Sequence, residues 1–381
     1  MEITKIGVIG GGQLAWMMAE AAPELGLELV VQTPSKQDPA ASRVREAIFA
    51  PIDNVAATSK LAQLCNVITF ENEFIDLTRL QSLVDRGVCF RPSLQSLAPL
   101  LDKYDQRSYL QKIGLPVPNY FIPESIAQIS TLKDFPLVIK ARRHGYDGKG
   151  TFIVKNSTEL EEVLALVPLS DILVEEFIPF DRELAVIAAR NLQGDLAIYP
   201  VVETHQKQQV CHWTIAPASV KDSVSTEIEA IASTLLTKLE YIGVLGIEFF
   251  LTTEGKVLVN EIAPRTHNSG HYTLDACLTS QFEMQLRTVA DLPLGSVALK
   301  SPGAIMVNLL GYEDSESNYR VKRAKLAAFP NAYVHWYGKT QSRIGRKLGH
   351  VTILLDSTQL SQARSIAEAI EGIWYSSEIF A

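Results

Sequence analysis

Val244-Leu245-Gly246-Ile247-Glu248-Phe249-Phe250-Leu251 and Val257-Leu258-Val259-Asn260-Glu261-Ile262 decide the reading of this chain. The first run is apolar except for its acid, and the second breaks only at Asn260-Glu261. Thr253-Glu254-Gly255-Lys256 between them reads as a four-residue hairpin loop. That register sets Leu251 opposite Leu258 and Glu248 opposite Glu261. Directly opposed side chains have Cβ atoms about 5 Å apart. Two carboxylates held that close in an apolar sheet repel each other and lose hydration. A divalent cation between them removes the conflict, and two acids plus phosphate oxygens suit Mg²⁺. Two other readings stay open: a register slip that separates the acids, and pairing of each acid with an arginine or lysine.

The residues that follow, Pro264-Arg265-Thr266-His267-Asn268-Ser269-Gly270-His271, are polar or turn-forming. Arg265 can hold a carboxylate or phosphate with its fork, and His267 can act on a proton. A lone histidine is more often structural, but this one lies within a polar cluster. Upstream, Lys140 ends an apolar strand, and Arg142-Arg143-His144-Gly145-Tyr146-Asp147-Gly148-Lys149-Gly150 follows. Backbone N–H groups and ammonium charge in such a loop can cover a triphosphate. The spacing is not that of a Walker A loop. A plain polar hairpin turn is the other reading.

Gly10-Gly11-Gly12-Gln13-Leu14-Ala15 follows a strand and opens a helix, as a dinucleotide fingerprint does. The second strand ends Val30-Val31-Gln32-Thr33-Pro34, without the acid that binds a ribose in nicotinamide enzymes. A dehydrogenase is therefore not expected. The turn either cradles another anion or is a glycine turn in a doubly wound sheet.

The rest of residues 1–100 alternates strands (6–9, 29–31, 67–70, 88–90) with helical patterns (14–25), which argues for a Rossmann-like parallel sheet. A helix is expected from about Asp102 to Ile113, stopped by Gly114 and Pro116. Strands at 137–140, 151–154 and 172–175 with a helix at 158–167 read as a small α+β lid. Further strands are expected at 184–189, 196–202, 244–251 and 257–262, with a long helix near 224–241. A tail after Pro302 holds several strands and a helix at 359–371.

A chain of 381 residues suggests two or three domains at about 100–200 residues each. No apolar run approaches the roughly 20 residues that span a bilayer, so no membrane partner is expected. Met1-Glu2-Ile3-Thr4-Lys5 lacks the pattern of a signal peptide. Cys65, Cys89, Cys211 and Cys277 form no C-x-x-C pair, which fits reduced cysteines in a cytoplasmic protein. A net charge of −8 argues against nucleic acid. Basic residues nonetheless gather as Arg320, Lys322, Arg323, Lys325, Lys339, Arg343, Arg346 and Lys347. The first four read as solvated surface, and the group around Lys339 to Lys347 can hold a small anion.

Together these motifs resemble the ATP-grasp superfamily of ligases, and within it the N5-carboxyaminoimidazole ribonucleotide synthetases of purine biosynthesis. The resemblance runs from Gly10-Gly11-Gly12-Gln13-Leu14 through the 145–150 loop and Glu175-Glu176-Phe177-Ile178-Pro179. It continues through Asn260-Glu261-Ile262-Ala263-Pro264-Arg265 and His267-Asn268-Ser269-Gly270-His271 to His335-Trp336-Tyr337-Gly338-Lys339 and Gly345-Arg346-Lys347-Leu348-Gly349-His350. It implies an α/β and α+β multidomain chain. The units are a Rossmann-like domain at 1–100, an ATP-grasp domain at 101–297 with a mobile lid at about 118–180, and a small β-rich C-terminal domain at 298–381.

The implied reaction uses ATP and bicarbonate to carboxylate the exocyclic amine of 5-aminoimidazole ribonucleotide through carboxyphosphate, with Mg²⁺, two ions expected. By resemblance, Lys103, Lys140, Gly145, Tyr146, Asp147, Gly148, Lys149, Gly150 and Thr151 hold phosphates. Glu175, Glu176, Phe177 and Ile178 frame the adenine, Glu183 takes the ribose, and His205 lies near the nucleotide. Glu248 and Glu261 bind the metal, with Asn260 beside them. Arg265, His267, Asn268 and Tyr146 face bicarbonate and the imidazole. Gly12 and Gln13, with Lys339, Arg346 and Lys347, hold the ribonucleotide, and Glu73 is a further candidate contact. A homodimer is expected. The family's Gln-Leu-Gly-Arg is Gln13-Leu14-Ala15-Trp16 here, and Asn72 replaces an aromatic between Glu71 and Glu73. Two alternatives remain: another ATP-grasp ligase, such as a formate-using glycinamide ribonucleotide transformylase, and an inactive nucleotide-binding regulator.

Overall fold

The computed structural model describes residues 3–125, 128–129, 135–143, 145 and 150–376. Its first sheet is parallel throughout, in the order β3-β2-β1-β4, with β1 at Lys5–Ile9, β2 at Glu28–Thr33, β3 at Glu46–Phe49 and β4 at Val67–Phe70. Strand β3 escapes the sequence reading because it is an edge strand with no buried residue. The expected strand at 88–90 is reduced to one bridge, Ile68 to Phe90, pinched between the turn at Gly87 and Pro92. The first helix covers Gln13–Ala21, ending earlier than expected. Pro23 cannot continue it, and Pro23–Leu25 instead form a tight turn closed by Gly26 at φ 69°.

The segment expected as a lid forms a second sheet, all antiparallel, in the order β5-β8-β6-β7. Its strands are β5 at Tyr120–Phe121, β6 at Leu137–Ala141, β7 at Thr151–Val154 and β8 at Ile172–Glu176. The helix Ser157–Leu166, capped by the Asn156 side chain, packs its Leu160 and Val163 onto Leu137, Ile139, Val154 and Val174.

The third sheet has nine strands, β9 (Phe180–Arg190), β10 (Leu196–Ile198), β11 (Val202–Lys207), β12 (Val210–Ala216), β13 (Gly243–Thr252), β14 (Val257–Ala263), β15 (Gly303–Leu310), β16 (Ala332–Trp336) and β17 (Lys347–Leu355). They run β14-β13-β9-β11-β12-β15-β17-β16, with β10 beside β9. The expected strand at 196–202 is two strands parted at Tyr199–Val201 by Pro200, which has no N–H for a ladder. The C-terminal segment is β-rich as expected, but it adds its strands to the preceding sheet through the β12–β15 pairing. Strand β15 is buried at all eight positions, as a central strand must be. The helices Asp222–Leu239 and Ala363–Trp374 bury Ile228, Leu235, Ala367 and Trp374 in separate cores. No helix among the described residues is long and apolar enough to cross a membrane.

Candidate active site

The hairpin β13–β14 places Glu248 opposite Glu261, as the sequence register requires. The expected Leu251–Leu258 pair does not form. A β-bulge adds one residue to β14 at Asn260, so Leu251 meets Val257 and Phe250 meets Leu258. A bulge re-aims side chains, and here consecutive residues serve one cluster. Asn260 Oδ1 accepts from Lys140 Nζ at 3.1 Å, and Glu261 Oε1 lies 2.7 Å from Lys103 Nζ.

Pairing with a lysine thus accounts for Glu261 but not for Glu248. Burial would raise the Glu261 carboxyl, yet Lys103 and Lys140 hold it below the usual range. Burial, then the charge of Glu261, pushes Glu248 up to about 7. On neighbouring β9, burial and then Glu248 push Glu183 up to about 8. Glu248 and Glu261 face each other across the hairpin with Glu183 opposite Phe250 on β9, and among the described residues only Glu261 of the three has a lysine in contact. Oxygen donors that lack positive charge fit a hard divalent cation.

Behind the acids lies a buried ion cluster. Glu175 Oε1 meets Arg107 Nε at 2.6 Å, and Oε2 meets Lys140 Nζ at 2.8 Å, with the three side chains at most 6% exposed. Burial would raise Glu175, but Lys140 and Arg107 hold it at about 2. The same Arg107 donates to the carbonyls of Val259 and Asn260, and Gln106 bonds both the N–H and the carbonyl of Ile262. Helix Lys103–Lys112 therefore fixes the edge of β14 and strand β8 together. Arg107 and Gln106 carry no sequence signal, because their partners, the Glu175 carboxylate and backbone atoms of β14, lie far away along the chain.

Glu175 reaches this cluster, but Glu176 faces away on the other side of β8, where Asn119 donates to both of its oxygens at 2.8 and 3.0 Å. Ile178 is buried and Phe177 half-buried. His205, on β11, stacks on Trp213 with centroids 4.6 Å apart. Of the glycine loop, Gly145, Gly150 and Thr151 are placed. Gly150 takes φ 83° and its carbonyl accepts from Ala141 N, while Gln209 Nε2 donates to Thr151 O at 3.1 Å. Tyr146, Asp147, Gly148 and Lys149 lie outside the described residues.

On the far side of the cleft, Arg265 grips Glu73 with both arms of its fork, Nη2 to Oε1 at 3.0 Å and Nε to Oε2. The two candidates are brought together, each engaging the other. His267 is half-buried, and desolvation, then Arg265 and Lys347, lower it to about 3, so it is neutral. Its Nδ1 bonds Ser269 Oγ at 2.9 Å and its Nε2 lies 3.7 Å from Glu248. Gly246 is glycine because a Cβ there would stand 2.5 Å from His267 Cβ. Lys339 Nζ donates to Gln13 Oε1 at 3.0 Å and to Lys347 O at 2.6 Å, joining the first glycine turn to the C-terminal segment. Arg346 donates to Gln341 O at 2.7 Å.

Two features escaped the sequence reading. Glu71 sits under the turn Gly10–Gly12 and accepts from Leu14 N at 3.4 Å. A Cβ on Gly10 or Gly12 would clash with its side chain and one on Gly11 with Thr33, so two of the three glycines serve an internal acid. Burial raises the Glu71 carboxyl against the pull of Arg265. Lys322, expected on the solvated surface, is 4% exposed and donates to Tyr312 Oη, Trp374 O and Ser376 O. It pins the last helix.

Asp275, His335 and His350 also bring three possible ligand atoms within 4.8 Å of one another. The two imidazoles stack with planes 16° apart and centroids at 4.5 Å, so their lone pairs run side by side and do not converge on an ion. His335 Nε2 bonds Asp275 Oδ2 at 2.9 Å, and His350 Nδ1 bonds Tyr337 Oη at 2.7 Å. These contacts buttress the C-terminal strands against the segment after His271.

Three family models match the chain in series. They are the ribonucleotide synthetase preATP-grasp domain over residues 3–99, the ATP-grasp domain over 108–282, and the phosphoribosylaminoimidazole carboxylase C-terminal domain over 304–364. The N5-carboxyaminoimidazole ribonucleotide synthase of Synechococcus elongatus is 52% identical over 379 residues, covering 98% of this chain and 96% of that one. The crystal structure of the synthetase from Thermotoga maritima superposes with a TM-score of 0.87 at 37% identity, covering 98% of both chains. That of the Aspergillus clavatus enzyme, in complex with ADP and 5-aminoimidazole ribonucleotide, gives 0.87 at 29% identity over 97% of this chain and 98% of that one.

Proposed function

The chain belongs to the N5-carboxyaminoimidazole ribonucleotide synthase family, and from that premise we propose how its residues divide the work. The protein is an ATP-dependent ligase that carboxylates 5-aminoimidazole ribonucleotide in purine biosynthesis. Bicarbonate is the carboxyl source in this proposal. An oxygen of bicarbonate displaces ADP from the γ-phosphorus of ATP, giving carboxyphosphate. The amine of the ribonucleotide then attacks the carboxyl carbon, the C–O bond to phosphate breaks, and the amine loses a proton.

The single observation that carries the site is the opposed pair Glu248 and Glu261 beside Asn260. These residues would hold Mg²⁺, which supplies charge neutralisation for phosphates when bound. Lys103 and Lys140, with the glycine loop at 145–150 and Thr151, bind phosphate oxygens. Phosphoryl transfer needs mainly such positioning and neutralisation. The rim of β8 to β9, residues 175–178, frames the base, Glu183 takes the ribose hydroxyls, and His205 borders the nucleotide. Carboxyphosphate is short-lived in water, so the lid at about 118–180 excludes solvent. The neutral His267, its Nδ1 accepting from the N–H of Ser269 and its Nε2 turned toward Glu248, borders the reacting amine without repelling it. Arg265 and Asn268, with Tyr146, position the carboxyl group. Gln13, Gly12, Lys339, Arg346 and Lys347 hold the ribonucleotide and its phosphate, with Glu73 orienting Arg265. The units are taken as 1–100, 101–297 and 298–381, and the working enzyme as a cytoplasmic homodimer.

The test is to supply ¹³C-bicarbonate with ATP, Mg²⁺ and the ribonucleotide and to follow the carbon by NMR. Label in a carbamate on the exocyclic nitrogen is the expected result. Turnover that incorporates labelled formate in its place, or that proceeds without bicarbonate, overturns the reading.

A further inference from the structure

Asn268 stands among the residues assigned above to the reacting carboxyl group, yet nothing in its own turn determines which way its amide faces. The structure supplies that determinant from the C-terminal segment. Asn308, on β15, is 1% exposed and forms a closed amide pair with Asn268. Its Nδ2 donates to Asn268 Oδ1 at 2.7 Å, and its Oδ1 accepts from Asn268 Nδ2 at 2.9 Å. The second hydrogen of Asn308 Nδ2 goes to the carbonyl of Cys211, on β12, at 2.9 Å.

A backbone carbonyl can only accept. Cys211 O therefore dictates which edge of the Asn308 amide faces β12, and Asn308 in turn dictates which edge of Asn268 carries oxygen and which nitrogen. One N–H and one oxygen lone pair of Asn268 remain for a ligand, in a fixed order. Asparagine is the required residue type at 308. It offers two donors and an acceptor on one short planar group, which neither aspartate nor leucine of the same size does. An unpaired amide at this depth is also costly, so the pair would not be kept without both partners.

We propose that Asn308 is a positioning residue for the carboxylation, acting through Asn268 to present its amide in one orientation. This rests on the assignment of Asn268 to the reacting groups. It also ties the C-terminal strands to the chemistry, because Asn308 lies directly opposite His350 in the buttress described above.

The experiment is a double-mutant cycle with N268A, N308A and N268A/N308A in the full-length enzyme. It reads kcat, the KM for ATP, and ADP released per ribonucleotide carboxylated. N308A is expected to lower kcat by about 10- to 100-fold, as small misplacements do, with the KM for ATP unchanged. The ADP released per product should rise above one, a readout that a loss of mere stability does not move. The double variant is expected to match N268A, since two residues acting as a unit are not additive. Independent, multiplicative losses overturn the proposal while leaving the role of Asn268 intact. If N268A itself is fully active, the underlying assignment fails instead. N308D keeps the volume of the side chain and covers the case in which N308A does not fold. It removes the donors, and wild-type kcat and coupling in N308D overturn the proposal equally.

Discussion

Two buried cations close on the buried carboxylate of Glu175, Arg107 at 2.6 Å and Lys140 at 2.8 Å. Removing one member of such a cluster leaves an uncompensated charge in the interior. E175A is therefore expected to destabilise the enzyme by about 3–5 kcal/mol, measured by denaturant unfolding. With its folded pKa at about 2, below the unfolded value, Glu175 contributes stability above roughly pH 4.5 that is lost as pH falls toward 2. The acid limb of the stability profile should flatten in this variant. At this scale the sequence is legible where a residue type is out of place in its surroundings. Lys140 at the end of an apolar run and Glu248 within one are such cases. It is silent where the partner is backbone, as for Gln106, or where an acid lies under a turn, as for Glu71. Lys322 misleads for a related reason: its charge suggests solvent, while three acceptors from distant segments enclose it.

The hairpin β13–β14 is the element on which the chemistry depends. Its strands and loop are readable from the apolar runs and Thr253–Lys256, whereas the bulge at Asn260 is a cross-strand property that no run of residues announces. Glu248 and Glu183 have folded pKa values of about 7 and 8, above the usual carboxylate range. The folded state thus binds more protons than the unfolded one between roughly pH 5 and 8, and stability falls as pH rises there. The Tm of the metal-free enzyme is expected to drop between pH 5.5 and 8.5, and Mg²⁺ should restore more of it at the upper end, where it no longer competes with protons. Thermal scans with and without Mg²⁺ measure both. In the same hairpin, G246A drives a methyl group into His267. Its kcat should fall about 100-fold, the cost of a displacement of about an ångström, with little change in the KM for ATP in steady-state assays.

Across the whole molecule, the site is assembled from the first glycine turn, the hairpin and the last strands. Lys339 bonds Gln13 over 326 positions of sequence. K339A is expected to raise the KM for the ribonucleotide at least about tenfold while sparing the KM for ATP, as loss of one charged binding contact does. The parallel first sheet and the β-rich tail were readable from alternation and composition. That the tail extends the central sheet was not, because the joining strand β12 has two polar residues among its apolar ones and its partner lies about 90 residues away. The opposed pair of Glu248 and Glu261 is the claim on which the rest depends. It is tested most directly by ADP release with ATP, Mg²⁺, bicarbonate and 5-aminoimidazole ribonucleotide, comparing the wild type with E248Q and E261Q. These swaps keep size and remove charge. Turnover that requires both bicarbonate and the ribonucleotide, and that falls by at least about 100-fold in each variant, is the expected result. Wild-type turnover in either variant would contradict the account.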